Sequence, residues 1–458
     1  MDSFFNPDGV AIVGATPNPR KGGYHILNNT INGYKTGKIY PINPKYDSML
    51  GLPCYPDIDS IPDDFELAIY FISARFLPDT IRECSRKNVK GIIIESAGFA
   101  EVGEDGRRLQ NECLKLAREY NIRLWGPNCM GLLDGYRRHV FSFIRSTAWK
   151  SLMVPGNVSM IVQSGMLSSG LLMMVLERGG IGINKICSIG NKCDVHETDL
   201  LEYLINDDLT DVIGLYVESF ADARRFMQLA RSTHKPIVVL KGGRSPEGAQ
   251  AAISHTASIA GNHAIINSAF KQAGIIQVFD INELMDFLRG FSKIKDSRND
   301  GGTAIITFSG GGGIVTADFL NDYGLPLAHF SDETLKSIKS IFPQWMDPTN
   351  PLDLWPAIEL NGVEKVYETA IDALAKDDNV DSIILHLFAN WIPSSSLKTA
   401  CALKDQQKKP VIAWLVGMGS AFHTFRNEVE DMGIPIFDEI GRCAGFLSAV
   451  KKHFYNIR

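Results

Sequence analysis

A histidine among small residues is the first candidate for chemistry in this sequence. His255 lies in the string KGGRSPEGAQAAISHTASIAG, between Ser254 and Thr256 and after a predicted strand end. Small neighbours leave an imidazole accessible, and its ordinary pKa of about 6.5 keeps a neutral, nucleophilic nitrogen available near pH 7. Such a nitrogen can carry a phosphoryl group, whereas the alternative from spacing alone is a hydrogen-bonded loop histidine.

An acid and a strand-to-helix turn could serve this histidine. Glu218 ends the apolar run DVIGLYVES, at the edge of a predicted parallel sheet where active sites gather. It is our candidate for the acceptor that holds the second ring nitrogen, and the alternative is an ordinary exposed carboxylate. Ser164, Gly165 and Met166 occupy the turn of IVQSGMLSSG, where backbone N–H groups at a helix N-terminus can hold a phosphate dianion.

A second candidate site, for a phosphorylated ligand, lies near the start of the chain. In GVAIVGATPNPRKGGYHIL a predicted strand ends at Gly14 and a helix begins near Gly22, so a phosphate can approach the backbone. The loop is not GxGxxG, and the next strand ends in Asn43, Pro44 and Lys45 rather than in the acid of an NAD site. A lysine there suits a ribose that carries its own phosphate, as in coenzyme A or NADP. The alternative is that Lys45 is a solvated surface lysine.

Alternating apolar runs and amphipathic stretches predict an α/β protein built from parallel sheets. The pattern of the first third restarts at VSMIVQSG and again, after the polar linker KIKDSRNDGG, at TAIITFSGGGG. A less patterned segment, roughly Asp134 to Pro155, holds the first boundary. We therefore predict three domains, which span residues 1–137, 150–292 and 301–458.

The second and third predicted domains resemble each other. NVSMIVQSGMLSSGLL and GTAIITFSGGGGIVTA both run strand, Ser-Gly, helix; DVIGLYVES matches DSIILHLFA, and KPIVVLKGG matches KPVIAWLVG. We interpret them as a diverged repeat of doubly wound domains, and the alternative is that any two parallel α/β domains share such strings. Glu218 in the first copy corresponds to Phe388 in the second, so only one copy is predicted to be equipped for chemistry.

The composition is that of an ordinary globular protein. The chain has 458 residues, 45% of them hydrophobic and 21% charged, and a formal net charge of -6, which favours neither a nucleic-acid nor a membrane partner. The eight cysteines are scattered without zinc-ligand spacing and predict reduced thiols and no metal site. With no signal-peptide pattern at the N-terminus, we expect a cytoplasmic protein.

Four strings in order carry a specific resemblance. VGATPNPRKGGY, KIYPINPKYDSMLGLPCYP, ESAGFAEVGEDG and LWGPNCMGLL resemble successive signatures of the CoA-binding domain in the succinyl-CoA synthetase and ADP-forming acyl-CoA synthetase superfamily. The resemblance implies a Rossmann-like CoA-binding domain followed by two flavodoxin-like doubly wound domains. It also implies a set of residues near coenzyme A: Gly14, Thr16, Lys21, Lys45 and Asn128. We add Ser73 because it follows a predicted strand.

The string around His255 resembles the active-site loop of ADP-forming acyl-CoA synthetases. In that family the histidine at this place is phosphorylated during turnover, and Glu218 matches the acid that steers it. The sequence departs from the family at Ala257, where glycine is commoner. In the relatives one phosphate-holding helix comes from this subunit and a facing one from the partner. The string NPLDL, which begins at Asn350, resembles a family landmark of the third domain without an assigned role.

The resemblance implies a reaction: acyl-CoA, ADP and phosphate interconvert with a carboxylic acid, CoA and ATP through an acyl phosphate and a phosphohistidine. We find no GxxxxGK[ST] loop and no stretch similar to an ATP-grasp module. ADP or ATP with Mg²⁺ is therefore expected on a separate ATP-grasp beta subunit, in a heterotetramer, with a small carboxylic acid as the substrate. The alternatives are a CoA-binding sensor or scaffold with a silent histidine, and an NADP-dependent oxidoreductase.

Overall fold

The computed structural model describes most of the chain. The described residues are 1–145, 149, 153–256, 263–297, 300–389, 391–406 and 408–457, without the side chains of some helical residues such as Met166 and residues 252–256. The chain divides into two compact units, Met1–Leu284 and Met285–Arg458. Among these residues we find no helix whose length and hydrophobicity together would let it span a lipid bilayer.

A parallel sheet flanked by helices forms the first part of the first unit. Its elements, in chain order, are α1 (Asp2–Phe5), β1 (Gly9–Val13), α2 (Gly22–Gly33), β2 (Lys38–Ile42), β3 (Ser48–Met49), β4 (Leu52–Pro53), β5 (Leu67–Tyr70), α3 (Leu77–Ser85), β6 (Gly91–Ile94), α4 (Glu104–Glu119) and β7 (Arg123–Trp125). The spatial order is β2-β1-β5-β6-β7, and β3 and β4 form a separate hairpin. Every residue of β1 is buried, as expected for a central parallel strand covered on both faces.

A second sheet completes the first unit. Its elements are β8 (Leu132–Asp134), β9 (His139–Phe141), β10 (Pro155–Val162), α5 (Gly165–Arg178), β11 (Ile183–Ser188), α6 (Glu197–Ile205), β12 (Val212–Val217), α7 (Ala223–Arg231), β13 (Ile237–Lys241), α8 (Pro246–Thr256), α9 (His263–Gln272), β14 (Ile276–Val278) and α10 (Ile281–Lys293), the last of which runs into the second unit. The spatial order is β14-β13-β12-β10-β11-β8-β9. All strands from β10 to β14 are parallel.

The second unit contains a third parallel sheet. Its elements are β15 (Gly302–Thr307), α11 (Gly310–Asp322), α12 (Asp332–Lys339), β16 (Leu352–Asp353), α13 (Trp355–Asn361), α14 (Val363–Lys376), β17 (Val380–Phe388), α15 (Lys398–Gln406), β18 (Val411–Val416), α16 (Gly419–Asp431), β19 (Ile436–Phe437) and α17 (Ile440–Ile457). The spatial order is β16-β15-β17-β18-β19. The α/β class and the parallel sheets predicted from the sequence are confirmed.

The second and third sheets share one topology. Written as first to fifth parallel strand, both run 5-4-3-1-2: β14-β13-β12-β10-β11 and β19-β18-β17-β15-β16. The strands that the sequence paired as copies, β10 with β15, β12 with β17 and β13 with β18, occupy equivalent places. The shared order supports the interpretation as a diverged repeat.

A hairpin that we did not predict extends the second sheet. β8 pairs antiparallel with both β9 and β11, in the region that looked poorly patterned. Each of β8 and β9 has only three residues and includes a buried polar one, Asp134 or His139, which obscures the apolar alternation. The carboxylate of Asp134 accepts the Arg137 N–H at 2.8 Å, and Nδ1 of His139 lies 3.1 Å from the Phe5 carbonyl oxygen.

The two sheets of the first unit share a hydrophobic core. Trp125, at the end of β7, is fully buried between Phe4 and Phe5, with ring centroids 5.2 and 5.9 Å away. Its indole N–H donates to the Ser188 carbonyl at the end of β11 (2.6 Å). Apolar residues of both sheets belong to this one cluster. The division of this unit at the predicted domain boundary therefore stays a prediction.

Candidate active site

A cleft of about 800 Å³ lies at the carboxyl ends of β1, β2 and β5. Of the six residues predicted near coenzyme A, four line it: Gly14, Thr16, Lys21 and Lys45. Because β2 and β5 flank β1, the cleft sits where the connections leave β1 in opposite directions, which is where open α/β sheets bind ligands. The structure thus brings these four predicted residues together.

Two positions in the wall of this cleft require glycine. Gly14 has φ +93°, and a Cβ there would lie 2.5 Å from Cγ2 of Ile72 and 2.6 Å from the Phe71 carbonyl oxygen. A Cβ on Gly22, the first residue of α2, would lie 2.5 Å from the Phe71 ring. Only glycine fits at these places, so the backbone and the N-terminus of α2 are open to a close ligand.

The two lysines of the cleft are exposed. Asn43 joins the loops that carry them, since its amide donates to the Ala15 carbonyl (2.8 Å) and its Oδ1 accepts the Lys45 N–H (3.0 Å). The cations of Lys21 and Lys45 therefore belong to loops fixed relative to each other. This arrangement can neutralise a ligand that carries more than one phosphate.

Ser73 and Asn128 are not among the residues that line the cleft. The Ser73 carbonyl accepts the Tyr70 hydroxyl (2.6 Å) at the end of the same strand. Asn128 adopts φ +55° and lies toward the second sheet, because its carbonyl oxygen would be 3.6 Å from a Cβ on Gly165. The structure thus brings Asn128 to the predicted phosphate turn.

The predicted phosphate turn joins β10 to α5. Ser164 caps α5, since its Oγ accepts the Leu167 N–H (3.4 Å), and the Ser168 hydroxyl donates to the Ser164 carbonyl (2.6 Å). The helix begins at Gly165, and the side chain of Met166 lies outside the described residues. The backbone N–H groups of this first turn are placed as an anion site requires.

Glu218 directly follows β12 and is 5% exposed, so the alternative of an exposed carboxylate is wrong. The side-chain oxygen of Gln163 accepts the N–H groups of Glu218 (2.7 Å) and Ser219 (3.2 Å). The Tyr216 hydroxyl donates to Glu218 Oε1 at 3.3 Å. Gln163 immediately precedes Ser164, so one residue couples the acid to the phosphate turn.

A buried lysine fixes the other side of the Glu218 peptide. Lys241 ends β13 and is 2% exposed, and its ammonium group donates to the carbonyls of Glu218 (2.6 Å) and Gly242. Burial lowers the pKa of Lys241 to about 8, against the opposing attraction of Glu218. In the sequence, Lys241 is marked only as a charged residue at the end of an apolar strand, and our sequence analysis did not predict a role for it.

The largely covered side chain of a second lysine reaches the next carbonyl. Lys192 donates to the Ser219 carbonyl (2.5 Å) and to Glu197 Oε2 (2.8 Å), and Glu197 also accepts the Ala221 N–H (2.5 Å). Burial lowers the pKa of Lys192 as well, while Glu197 raises it. Two ammonium groups and two carboxylates therefore surround the chain that follows β12.

His255 lies near the C-terminal end of α8, whose backbone is helical through Thr256. The expectation of a loop at this histidine is therefore wrong for its backbone: the run from Pro246 is rich in alanine, the strongest helix former. The side chain of His255 and the departure at Ala257 lie outside the described residues.

The corresponding edge of the third sheet is built differently. Phe308 and Phe388 stand where the second sheet has Gln163 and Glu218. His386 is fully buried between the hydroxyls of Thr307 and Thr316, both 2.9 Å away, and burial lowers its pKa to about 4, so it is neutral.

The NPLDL landmark of the third sheet has a structural explanation. The amide of Asn350 donates to the carbonyls of Thr303 (2.9 Å) and Ala328 (3.0 Å), and its Oδ1 accepts the Ile305 N–H (3.0 Å). Asn350 thus supplies β15 with hydrogen bonds that a strand would otherwise supply. Within the described residues, no cluster of three or more His, Cys, Asp or Glu side chains could hold a metal ion.

Two protein-family models and several characterised proteins match this chain. A CoA binding domain model matches residues 8–134, and a succinyl-CoA ligase like flavodoxin domain model matches residues 155–291. The acetate–CoA ligase (ADP-forming) II of Archaeoglobus fulgidus is 36% identical over 455 residues, which are 99% of this chain and 67% of that protein. The acetate–CoA ligase (ADP-forming) II subunit alpha of Pyrococcus furiosus is 35% identical over 465 residues, which are 100% of this chain and 98% of the subunit.

A solved structure agrees over nearly the whole chain. The dinucleotide forming acetyl-coenzyme A synthetase 1 of Ca. Korarchaeum cryptofilum, in complex with phosphate and ADP, matches with a TM-score of 0.88 at 30% identity. The match covers 99% of this chain and 96% of that one. The chain thus spans about two thirds of a longer single-chain relative and nearly all of an alpha subunit. This chain belongs to the ADP-forming acyl-CoA synthetase family, as an alpha-subunit-like protein with a CoA-binding domain and a succinyl-CoA ligase-like domain.

Proposed function

We propose that this chain binds coenzyme A or its thioester in the cleft of the first sheet and carries a phosphoryl group on His255. The observation that carries the proposal is the buried Glu218, whose peptide is held by Gln163 directly beside the phosphate turn at Ser164. A carboxylate that is fixed and desolvated in this way can orient a histidine and stabilise its charged form.

The cleft suits coenzyme A by its chemistry. A side chain at Gly14 or Gly22 would clash with Phe71 or Ile72, so these positions stay bare backbone, and Lys21 and Lys45 in the same cleft offer positive charge to phosphate groups. Lys45 follows β2, at the place where NAD-binding domains have an acid that binds the ribose hydroxyls. A lysine at this place suits instead the phosphate on the ribose of coenzyme A. Thr16 adds a hydroxyl to the same wall.

In the thioester-consuming direction, phosphate attacks the acyl carbon and the thiolate leaves, which gives an acyl phosphate. The imidazole nitrogen of His255 then bonds to phosphorus as the bond between phosphorus and the acyl oxygen breaks, and the carboxylate leaves. Glu218 holds the other ring nitrogen, and the turn at Ser164 and Gly165 holds phosphate oxygens through its backbone N–H groups. The phosphoryl group finally passes to ADP.

We place the ADP site and its Mg²⁺ on an ATP-grasp beta subunit, in a heterotetramer. The support is that relatives of this length are named alpha subunits. Among the relatives, the names give acetate, 4-hydroxybutyrate and trans-ferulate as acyl groups, so the proposed substrate is a small carboxylic acid whose identity varies within the family.

Lys45→Ala should weaken CoA binding about tenfold, because one charge-assisted contact to a phosphate is lost. Isothermal titration with CoA and with dephospho-CoA measures this effect. If Lys45 contacts the ribose phosphate, the variant binds both ligands alike, whereas the unchanged chain prefers CoA. Lys115→Ala, which removes an exposed lysine of α4 outside the cleft, is the control. Equal loss for both ligands would place Lys45 elsewhere on CoA.

His255→Asn should abolish phosphorylation of the chain by radiolabelled acetyl phosphate and lower turnover with the beta subunit at least about a thousandfold. The label on the unchanged chain should be acid-labile and base-stable. CoA affinity should stay within twofold, because CoA binds in a different sheet. His423→Asn, at an exposed position of α16, is the control. Normal turnover by His255→Asn would rule out the phosphohistidine, whereas CoA binding without any label or turnover in the unchanged chain would favour the scaffold alternative.

The charge on Lys241 predicts an alkaline limit to His255 phosphorylation. Burial lowers its pKa from 10.5 to about 8, so the folded protein loses this charge as pH rises through about 8, while the unfolded chain keeps it to about 10.5. Between about pH 8 and pH 10.5 the unfolded chain therefore holds one more proton at Lys241 than the folded protein does, so this lysine makes the free energy of unfolding rise with pH. The rate of His255 phosphorylation should fall over the same range, because the charge beside Glu218 is lost. Lys241→Met should lower the rate and flatten the pH profile between pH 7 and 9. An unchanged profile in this variant would show that Lys241 does not set the limit.

A further inference from the structure

Three loops of the first unit meet at the carboxyl ends of their strands. One loop follows β6, one follows β7 and one follows β11, so the first two belong to the first sheet and the third to the second sheet. The Asn128 N–H donates to the Ser96 carbonyl (3.0 Å), and the Asn191 N–H donates to the Pro127 carbonyl (2.9 Å). We call this meeting point the loop junction.

The carboxylate of Glu101 ties the first of these loops to the third. Glu101 lies in a short 3₁₀ turn, Ala100–Val102, between β6 and α4. Its Oε1 accepts the N–H groups of Gly98 (2.5 Å) and Phe99 (3.1 Å), and its Oε2 accepts the side-chain amide of Asn191 (2.6 Å). One carboxylate therefore fixes its own turn and reaches across to a loop of the second sheet.

Glu101 is ionised at neutral pH. Partial burial raises the pKa of its carboxyl group, but the hydrogen bonds from Asn191 and from the main chain of its own turn outweigh burial, so the pKa is lowered overall. A hydrogen bond to an ionised carboxylate is roughly twice as strong as one between neutral groups. Loss of the charge therefore weakens the loop junction even when the size of the side chain is kept.

The loop junction reaches the proposed phosphate site by two routes. The Asn128 side-chain amide donates to Asn191 Oδ1 (3.5 Å), and the Asn128 carbonyl oxygen would lie 3.6 Å from a Cβ on Gly165 of the phosphate turn. Lys192, the neighbour of Asn191, donates to the carbonyl of Ser219, the residue after the proposed acid. A displacement of Asn191 would therefore reach both the phosphate turn and the main chain beside the acid.

The helix that carries His255 passes close to the same turn. Cα atoms of α8 lie within 8 Å of Cα atoms of the turn Ala100–Val102. His255 lies near the C-terminal end of α8, and both elements belong to the first unit. The turn that Glu101 fixes is thus a neighbour of α8 as well as of the loop from the second sheet.

We propose that Glu101 is a positioning residue that holds the first sheet at a fixed distance from the phosphate turn and α8. The inference rests on the proposed function and deepens it. Acyl transfer from a thioester to phosphate requires the reacting atoms to approach to about 3–3.5 Å, so a thioester held by the first sheet must stay in place relative to a phosphate held by the second. Phosphorylation of His255 by acetyl phosphate needs only the site on the second sheet, so it depends less on Glu101.

Two labelling rates separate these steps in the chain reconstituted with its beta subunit, without ADP. His255 receives label either from acetyl-CoA with radiolabelled phosphate or from radiolabelled acetyl phosphate. We expect Glu101→Gln to lower the first rate roughly tenfold to a hundredfold, and to leave the second rate and the CoA affinity within about threefold. Glu112→Gln, the same substitution at an exposed position of α4, should leave both rates unchanged.

A second substitution tests the bond between Glu101 and Asn191. Asn191→Asp alone places two carboxylates in contact, so it should lower the first rate as well. When Glu101→Gln and Asn191→Asp are combined, the new amide can donate to the new carboxylate, and the first rate should return to within about threefold of the unchanged chain.

Two results would overturn the inference. One is a Glu101→Gln variant in which both rates fall equally or neither falls, because the residue would then serve general stability or nothing. The other is a double variant that does not recover the first rate. Absence of label from either donor in the unchanged chain would instead contradict the proposed function.

Discussion

The fixed peptide at Glu218 is the constraint on which the proposed chemistry depends. Its N–H and that of Ser219 share the Gln163 oxygen, and the carbonyls of both residues accept ammonium groups, from Lys241 and Lys192. Hydrogen bonds to charged groups contribute about 1.5–3 kcal/mol each, and a buried carbonyl or N–H left without a partner costs about 1–3 kcal/mol. The carboxylate therefore stands on a main chain that cannot move without breaking several buried bonds.

Direct contacts join the two sheets of the first unit close to the proposed sites. Asn128, whose position was predicted from the CoA-binding domain, approaches Gly165 of the phosphate turn, and Trp125 donates to Ser188 of the second sheet. In the proposed mechanism, the acyl group passes from the thioester in the cleft to phosphate at the turn, so the two proposed sites must keep a defined separation. A shared hydrophobic core and a direct hydrogen bond are the means by which folded chains achieve it.

Much of the fold and part of the site could be predicted from the sequence. Apolar runs that end in glycine located β1 and β10, because a buried parallel strand and a tight turn both leave marks in composition. The hairpin β8–β9 left no such mark, since Asp134 and His139 are buried through hydrogen bonds. Gln163 and Lys241 were missed for the same reason: they act through side-chain bonds to backbone groups that are distant in sequence. A helical backbone at His255 was likewise hidden by its resemblance to a loop.

The central claim is that the Glu218 carboxylate acts on His255, and Glu218→Gln tests it most directly. The substitution removes the charge but keeps the size of the side chain and every bond to the main chain of residue 218. Rapid-quench measurement of His255 phosphorylation by acetyl phosphate should give a rate about a hundredfold lower in this variant, with CoA affinity unchanged. Equal rates in the variant and the unchanged chain would contradict the account.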